Sequence, residues 1–265
     1  MASTLNNLAR KLRSLHVSGN PLLLANVWDG ASAAAIANHL STKAIATASY
    51  AIAATQGLDD GNMTLEQNLA GVRNVVAGLR KVGLAGKVPI TADLEDGYEN
   101  PAETVRRAVE LGVVGCNIED VDNRKNELRS LEDAVARIKA AIDAAREAGV
   151  SDFVINARTD VLGYGGNIAT VIERGKQYLE AGATTVFVWG VQKWDIKPDE
   201  VAEMVKALNG RLAVQPGSIG VEKLKELGVS RISIGPALWR RSMIVLEEEG
   251  VRLKATVQAA TLASR

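Results

Sequence analysis

Four times in this chain a helical run closes on an acid, an alanine or leucine, and a glycine: Glu110-Leu111-Gly112, Glu147-Ala148-Gly149, Glu180-Ala181-Gly182 and Glu226-Leu227-Gly228. Each glycine stands where a helix must stop, and a short apolar run follows within a few residues. The candidate strands are Leu22–Val27, Ala44–Ala48, Val88–Asp93, Val113–Ile118, Phe153–Arg158, Thr185–Trp189, Leu212–Gln215 and Arg231–Ile234. Helical periodicity separates them over Leu65–Val82, Glu103–Leu111, Leu131–Ala148, Ile168–Ala181 and Asp199–Leu208. Eight strand-helix units predict an α/β fold of the (β/α)8 TIM-barrel type. An open doubly wound sheet is the alternative, but no strand opens a Gly-x-Gly-x-x-Gly turn. No low-complexity tract or linker breaks the chain, so residues 1–265 read as one barrel domain. Within it, 237–265 form a C-terminal helical oligomerisation segment, because Leu238, Trp239, Met243, Leu246, Val251 and Leu253 are too apolar for an exposed tail. The alternative is packing of that helix on its own barrel.

Three successive strands end in charge. Ile90-Thr91-Ala92-Asp93-Leu94-Glu95-Asp96-Gly97-Tyr98 runs from apolar chain into three carboxylates, Val113–Ile118 runs into Glu119-Asp120, and Val154–Ala157 runs into Arg158-Thr159-Asp160. Strand alternation puts Asp93 and Glu95 on one side. Acids held together repel, and a cation between them, most simply Mg²⁺, relieves the repulsion. A solvated loop or a helix cap would explain either acid cluster alone. Parallel strands, however, bring their C-terminal ends to one face, giving an acidic cup with one arginine as anion anchor.

Charge balance, with 31 basic and 31 acidic residues, offers no basic face for nucleic acid or anionic membrane. Met1–Asn20 has no long apolar core, so neither a secretory signal nor a membrane span is expected, and a cytoplasmic location is. The single cysteine, Cys116, lies within an apolar strand and reads as a buried, inert thiol. His16 and His39 fall in predicted helices away from the cup, which argues against a histidine base.

The order Asn26-x-Trp28-Asp29, Thr47-Ala48-Ser49, Gly57-x-x-Asp60-Gly61, Asp93-x-Glu95-Asp96-Gly97-Tyr98, Ile118-Glu119-Asp120, Ala157-Arg158-Thr159-Asp160 and Leu227–Pro236 resembles the isocitrate lyase/phosphoenolpyruvate mutase superfamily from residue 20 to 240. The resemblance implies a homotetramer (a dimer of dimers) with exchanged C-terminal helices, and Mg²⁺-assisted (or Mn²⁺-assisted) chemistry at a C–C or C–P bond beside a carboxylate. It implies Asp93 as the direct metal ligand, with Asp60, Glu95 and Glu119 holding the ion directly or through water. Arg158 matches the arginine that grips a substrate carboxylate. Asn26, Trp28 and the backbone near Ala48, Ser49 and Tyr50 match substrate contacts, and Tyr50, Lys125 and Glu127 join Arg158 as candidate catalytic positions.

Departures from the family pattern shape the functional expectation. The lyase Lys-x-Cys-Gly-His loop is replaced by Val121–Ser130, which lacks both its cysteine and its histidine. In the mutase Lys-x-Asn-Ser loop Lys125 fits, but Glu127 stands at the asparagine and would repel a phosphoryl group. Trp189 stands where a small residue or proline is usual, which implies an altered pocket. The polar segment Asp120–Ser130 is expected to be a mobile lid that brings Lys125 to the substrate. The leading expectation is a Mg²⁺-dependent lyase, decarboxylase or hydrolase that cleaves a C–C bond of a small 2-oxo or 2-hydroxy carboxylic acid through an enolate. The alternatives are a phosphonomutase and a catalytically inactive ligand-binding barrel.

Overall fold

The computed structural model describes the backbone of residues 2–39, 41–190 and 195–263. Residue 1 and residues 264–265, parts of the predicted domain and of its oligomerisation segment, lie outside the described residues. The strands are β1 (Leu22–Leu24), β2 (Asn26–Val27), β3 (Ile45–Thr47), β4 (Ile90–Asp93), β5 (Gly115–Glu119), β6 (Val121–Asp122), β7 (Glu127–Leu128), β8 (Val154–Thr159), β9 (Thr185–Val188), β10 (Leu212–Val214) and β11 (Arg231–Ser233). Nine of them form one parallel sheet in the order β1-β11-β10-β9-β8-β5-β4-β3-β2. Only Ala25 separates β1 from β2, so the predicted strand Leu22–Val27 is broken there and its halves close the ring, one on β11 and one on β3.

Outside the ring run α1 (Ala2–Ser14), α2 (Gly30–Ala37), α3 (Ser49–Thr55), α4 (Leu65–Lys81), α5 (Pro101–Glu110), α6 (Leu131–Glu147), α7 (Ile168–Glu180), α8 (Pro198–Ala207), α9 (Val221–Glu226) and α10 (Ala237–Ala263). Their starts follow local chemistry. Thr64 and Gln67 form a reciprocal capping box at α4, and Asn100 followed by Pro101 begins α5. Two of the predicted helix stops, Gly112 and Gly182, sit at φ +90° and +107°, which any side chain would strain. Gly78 lets α4 cross α2 closely, since a Cβ there would lie 2.1 Å from the Gly30 carbonyl oxygen.

Between ring and helices lies the aliphatic core, including Leu24, Ile45, Val72, Leu79, Val105, Ile155 and Val186. The lumen is polar. Asn156 donates to Asn117 (2.8 Å) and accepts from Thr185 (2.6 Å), tying β5, β8 and β9 from within. Cys116 is fully buried, and burial pushes its thiol pKa up. His16 and His39 lie just past α1 and α2 rather than within them. Among the described residues no helix is long and apolar enough to cross a membrane.

Candidate active site

The carboxyl ends of β4, β5 and β8 meet in a cup of about 110 Å³, lined by Ser49, Asp60, Glu95, Glu119, Asn123, Arg158, Asp160, Tyr164 and Trp189, with Gly61 and Val121. Asp93 stands behind Ser49. The Ser49 hydroxyl lies 3.0 Å from Asp93 Oδ2 and 3.1 Å from Asp60 Oδ1, so two carboxylates compete for one proton. Glu95 arrives differently from the predicted strand alternation. The strand ends at Asp93, Leu94 turns into the core, and Glu95 takes a left-handed φ of +52° that brings it back over the cup. Such a backbone in a non-glycine residue costs about 1–3 kcal/mol and is typical of functional sites. The Glu95 carbonyl holds the next strand end by accepting from the Glu119 amide at 2.9 Å.

Burial and mutual repulsion tune these acids. Glu95 is pushed up to about 8, first by burial and then by Asp60 and Asp93. Burial also raises Asp60, with Asp93 adding to it, and raises Glu119 well above the carboxylate range. Asp93 Oδ1 and Glu95 Oε1 are buried and have no hydrogen-bond partner. Orphaned carboxylate oxygens in a cluster that resists ionisation fit a divalent cation. Among the described residues no group of three or more His, Cys, Asp or Glu side chains is placed to hold a metal ion directly. The donor set therefore suits an ion with one or two direct carboxylates and a retained water shell, as Mg²⁺ prefers.

Arg158 is the cationic wall. Asp160 takes its edge side-on, at 2.7 Å from Nε and 2.8 Å from Nη2, while Glu119 lies 2.8 Å from Nη1. Burial works against the charge, but Asp160 and Glu119 outweigh it and raise the arginine's pKa. Three of the five N–H donors are engaged, leaving two for an incoming carboxylate. Asn123, missed at the sequence level, donates to Glu119 (2.8 Å) and Glu95 (3.4 Å) and stands between the cup and a wider cleft of about 720 Å³. In the sequence Asp160 closes the Ala157-Arg158-Thr159-Asp160 motif. Its spacing from Arg158, i and i+2 across a strand end, was the available signal.

Several expected site residues are engaged within the fold or stand outside the cup. Asn26 is spent on structure: it donates to Thr47 O (2.9 Å) and accepts from Ser233 (3.0 Å) and the Gly235 amide (3.1 Å). Trp28 packs on the Ile52, Ala53 and Met63 cluster. The Ala48 amide is bonded to Val27 O, and the Ser49 amide faces Asp93 Oδ2 at 3.4 Å. The Tyr50 ring stacks edge-on with Trp239 at 5.6 Å, under Arg240. Lys125 and Glu127 are exposed outside the cup, on a small hairpin in which β6 pairs β7. That hairpin is anchored at its C-terminal root. Arg129 meets Asp96 (2.6 Å), Asp122 (3.3 Å) and Asp133 (3.0 Å), and Arg174 holds the Arg129 carbonyl (2.7 Å). Asp96 thus faces the hairpin root. Asp120 is likewise withdrawn into bonds with Thr159, Arg174 and Tyr178.

The chain matches the phosphoenolpyruvate phosphomutase family over residues 12–253. It is 32% identical to 2-methylisocitrate lyase of Escherichia coli (strain K12) over 197 residues, 69% of this chain and 62% of that protein. The crystal structure of 2,3-dimethylmalate lyase, a PEP mutase/isocitrate lyase superfamily member, superposes with a TM-score of 0.80 at 26% identity, covering 93% of this chain and 87% of that one. Oxaloacetate acetylhydrolase in complex with its product oxalate gives a TM-score of 0.81 at 26% identity, over 94% and 87% of the two chains.

Proposed function

The chain belongs to the PEP mutase/isocitrate lyase superfamily, and we propose that within it this protein is a Mg²⁺-dependent enzyme cleaving a C–C bond of a small 2-oxo or 2-hydroxy carboxylic acid. Relatives include C–C lyases, a hydrolase and a decarboxylase of such acids. The observation that carries the proposal is the pairing of unpartnered Asp93 and Glu95 oxygens with the open end of the Arg158 fork. In this reading Asp93 holds the cation directly, and Asp60, Glu95 and Glu119 hold its waters. When bound, the cation supplies electrostatic stabilisation of negative charge on the substrate oxygens as the bond breaks. Mn²⁺ suits the same oxygen donors.

The chain's own groups do the rest. Arg158 binds the substrate carboxylate with its two remaining N–H donors, and Asp160 fixes the plane of the fork. Asn123 orients Glu119 and Glu95. Lys125 and Glu127 stand outside the cup, while Tyr164 lines its rim with its hydroxyl donating to Asn126 Oδ1 (2.7 Å). Burial raises its pKa and keeps the phenol protonated. The exposed apolar residues of α10, among them Leu246 at 65% and Leu253 at 60%, pack on a second copy in a dimer of dimers.

The mutase alternative no longer meets repulsion from Glu127, which is exposed. It meets instead a cup with one guanidinium among several carboxyls, a poor host for a trianionic phosphoryl group. Oxaloacetate and substituted malates incubated with Mg²⁺, followed by carbon NMR, test the proposal against phosphonopyruvate followed by phosphorus NMR. Carbon–carbon cleavage of an acid in the first panel, abolished by chelator, is expected. Phosphorus chemistry alone would overturn the ranking in favour of the mutase, and silence in both panels would promote the inactive binding barrel.

A further inference from the structure

Trp189 is not needed to build the acidic cup, yet it forms the wall next to Arg158. It follows β9 directly, and its amide donates to Thr159 O at 3.2 Å, so the backbone is fixed to the neighbouring strand end. Its indole covers one face of the Arg158 guanidinium, with Cζ 4.0 Å from the ring centroid. Phe187 stands farther off, at 6.0 Å. Asp160 holds the guanidinium on its Nε–Nη2 edge, Glu119 pairs with Nη1 and the indole covers one face, so its orientation towards a ligand is fixed from three sides. A flat, rigid ring over that cation is favourable because its negative face meets the positive charge away from bulk water.

The ring also sets the room available. The cup holds about 110 Å³, well below the roughly 300–1,000 Å³ of ordinary small-molecule pockets. Asn123 bounds it on the far side, tied to Glu119 and Glu95. With Trp189 and Asn123 both lining so small a cup, little room is left for a substituent on the carbon beside a carboxylate held by Arg158.

We propose that Trp189 is the specificity-determining and positioning residue of the cup: it clamps Arg158 and restricts the enzyme to short acids unbranched next to the gripped carboxylate. The inference rests on the assignment of the cup as a Mg²⁺ and carboxylate site. It selects acids of roughly oxalate to oxaloacetate size from the broader class.

A matched pair of probes tests it. Malonate and phenylmalonate carry the same two carboxylates, but the second places a ring on the carbon beside both. Titration calorimetry with Mg²⁺ is expected to show wild-type protein binding malonate at least about tenfold more tightly than phenylmalonate, a ratio within reach of a tight pocket wall. Trp189→Ala is expected to remove that preference. Trp189→Phe, which keeps an aromatic face, should retain malonate affinity within about threefold, whereas Trp189→Leu should weaken it about tenfold. Circular dichroism checks that each variant is folded, and if Trp189→Ala is not, the Phe and Leu pair decides. Equal binding of the two acids by wild-type protein, an unchanged preference in folded Trp189→Ala, or identical malonate affinity in the Phe and Leu variants would overturn the assignment to Trp189. Failure of wild-type protein to bind malonate or oxalate in the presence of Mg²⁺ would instead remove the underlying site.

Discussion

Asp160 clasps Arg158 side-on across the end of β8, its two oxygens 2.7 and 2.8 Å from Nε and Nη2. A strand end would ordinarily send residues i and i+2 outward in parallel. Here the chain turns at Asp160 into a 3₁₀ turn, and the Asp160 amide is held by Asp120 Oδ1 at 2.9 Å. The anion anchor is therefore built from three residues of two strand ends.

Removing the clasp should cost both stability and affinity. Asp160→Ala leaves a buried guanidinium with Glu119 alone, and breaking such a pair costs about 3–5 kcal/mol. Urea denaturation should show a loss on that scale, and oxalate affinity should fall with it. Full affinity in a variant that unfolds at the same urea concentration as wild type would show that Asp160 does not orient the fork.

His16 gives the pH dependence a definite sign. Burial lowers its pKa from 6.5 to about 3, with Arg231 adding to the effect, while Nδ1 is bonded to Leu12 O at 2.9 Å and Nε2 is buried and unpartnered. The folded chain excludes a proton that the unfolded chain accepts. The neutral histidine's contribution is therefore complete above pH 6.5 and is lost as pH falls from there toward 3, at about 1.4 kcal/mol per unit. Comparison with His16→Leu isolates this from the titrating acids. The gap in stability between the two proteins should change by about 2 kcal/mol between pH 6.5 and pH 5 in the variant's favour. Parallel pH profiles would exclude it.

The hairpin should divide into a fixed root and a dispensable tip. Lys125 is 70% exposed with Asp122 only at 4.0 Å, so Lys125→Ala is expected to change stability by less than about 0.5 kcal/mol and to leave oxalate binding intact. Arg129 is 10% exposed among Asp96, Asp122 and Asp133, and Arg129→Ala should destabilise by about 3 kcal/mol or more. Thermal and urea unfolding of the two variants side by side reads this contrast. Equal effects would contradict the division into root and tip.

Assembly through α10 is open to light scattering. Leu246 and Leu253 are exposed at 65% and 60% on a helix whose first turn packs Trp239 against Tyr50. Wild-type protein at micromolar concentration should be a tetramer. The double variant Leu246→Glu, Leu253→Glu should fall to smaller species with its far-ultraviolet spectrum unchanged. A wild-type monomer would leave α10 without the proposed partner.

Much of this fold was legible because barrels repeat one simple instruction. An apolar run, a helical run and a glycine stop recur, and the predicted strands lie within a few residues of the observed ones. The break at Ala25 was not legible, because ring closure is a property of the whole sheet rather than of Leu22–Val27. At the cup, strand ends delivered Asp93, Glu119 and Arg158 as the periodicity required. Glu95 reached it through a left-handed turn that no period describes. Asn123 escaped notice because an asparagine in a polar loop carries no pattern, and its role appears only once Glu119 and Glu95 stand beside it. Asn26 shows the converse. The resemblance implies a substrate contact, but its side chain bonds to Thr47, Ser233 and Gly235, where the strands close the barrel.

The most direct test of the central claim is a crystal of the protein grown with Mn²⁺ and oxalate and measured at the manganese absorption edge. We expect one anomalous peak beside Asp93, with Asp60, Glu95 and Glu119 reaching it directly or through water, and an oxalate oxygen on the open end of Arg158. The same crystal of Asp93→Ala should lose the peak with the barrel intact. Manganese bound elsewhere, or oxalate seated away from Arg158, would contradict the account.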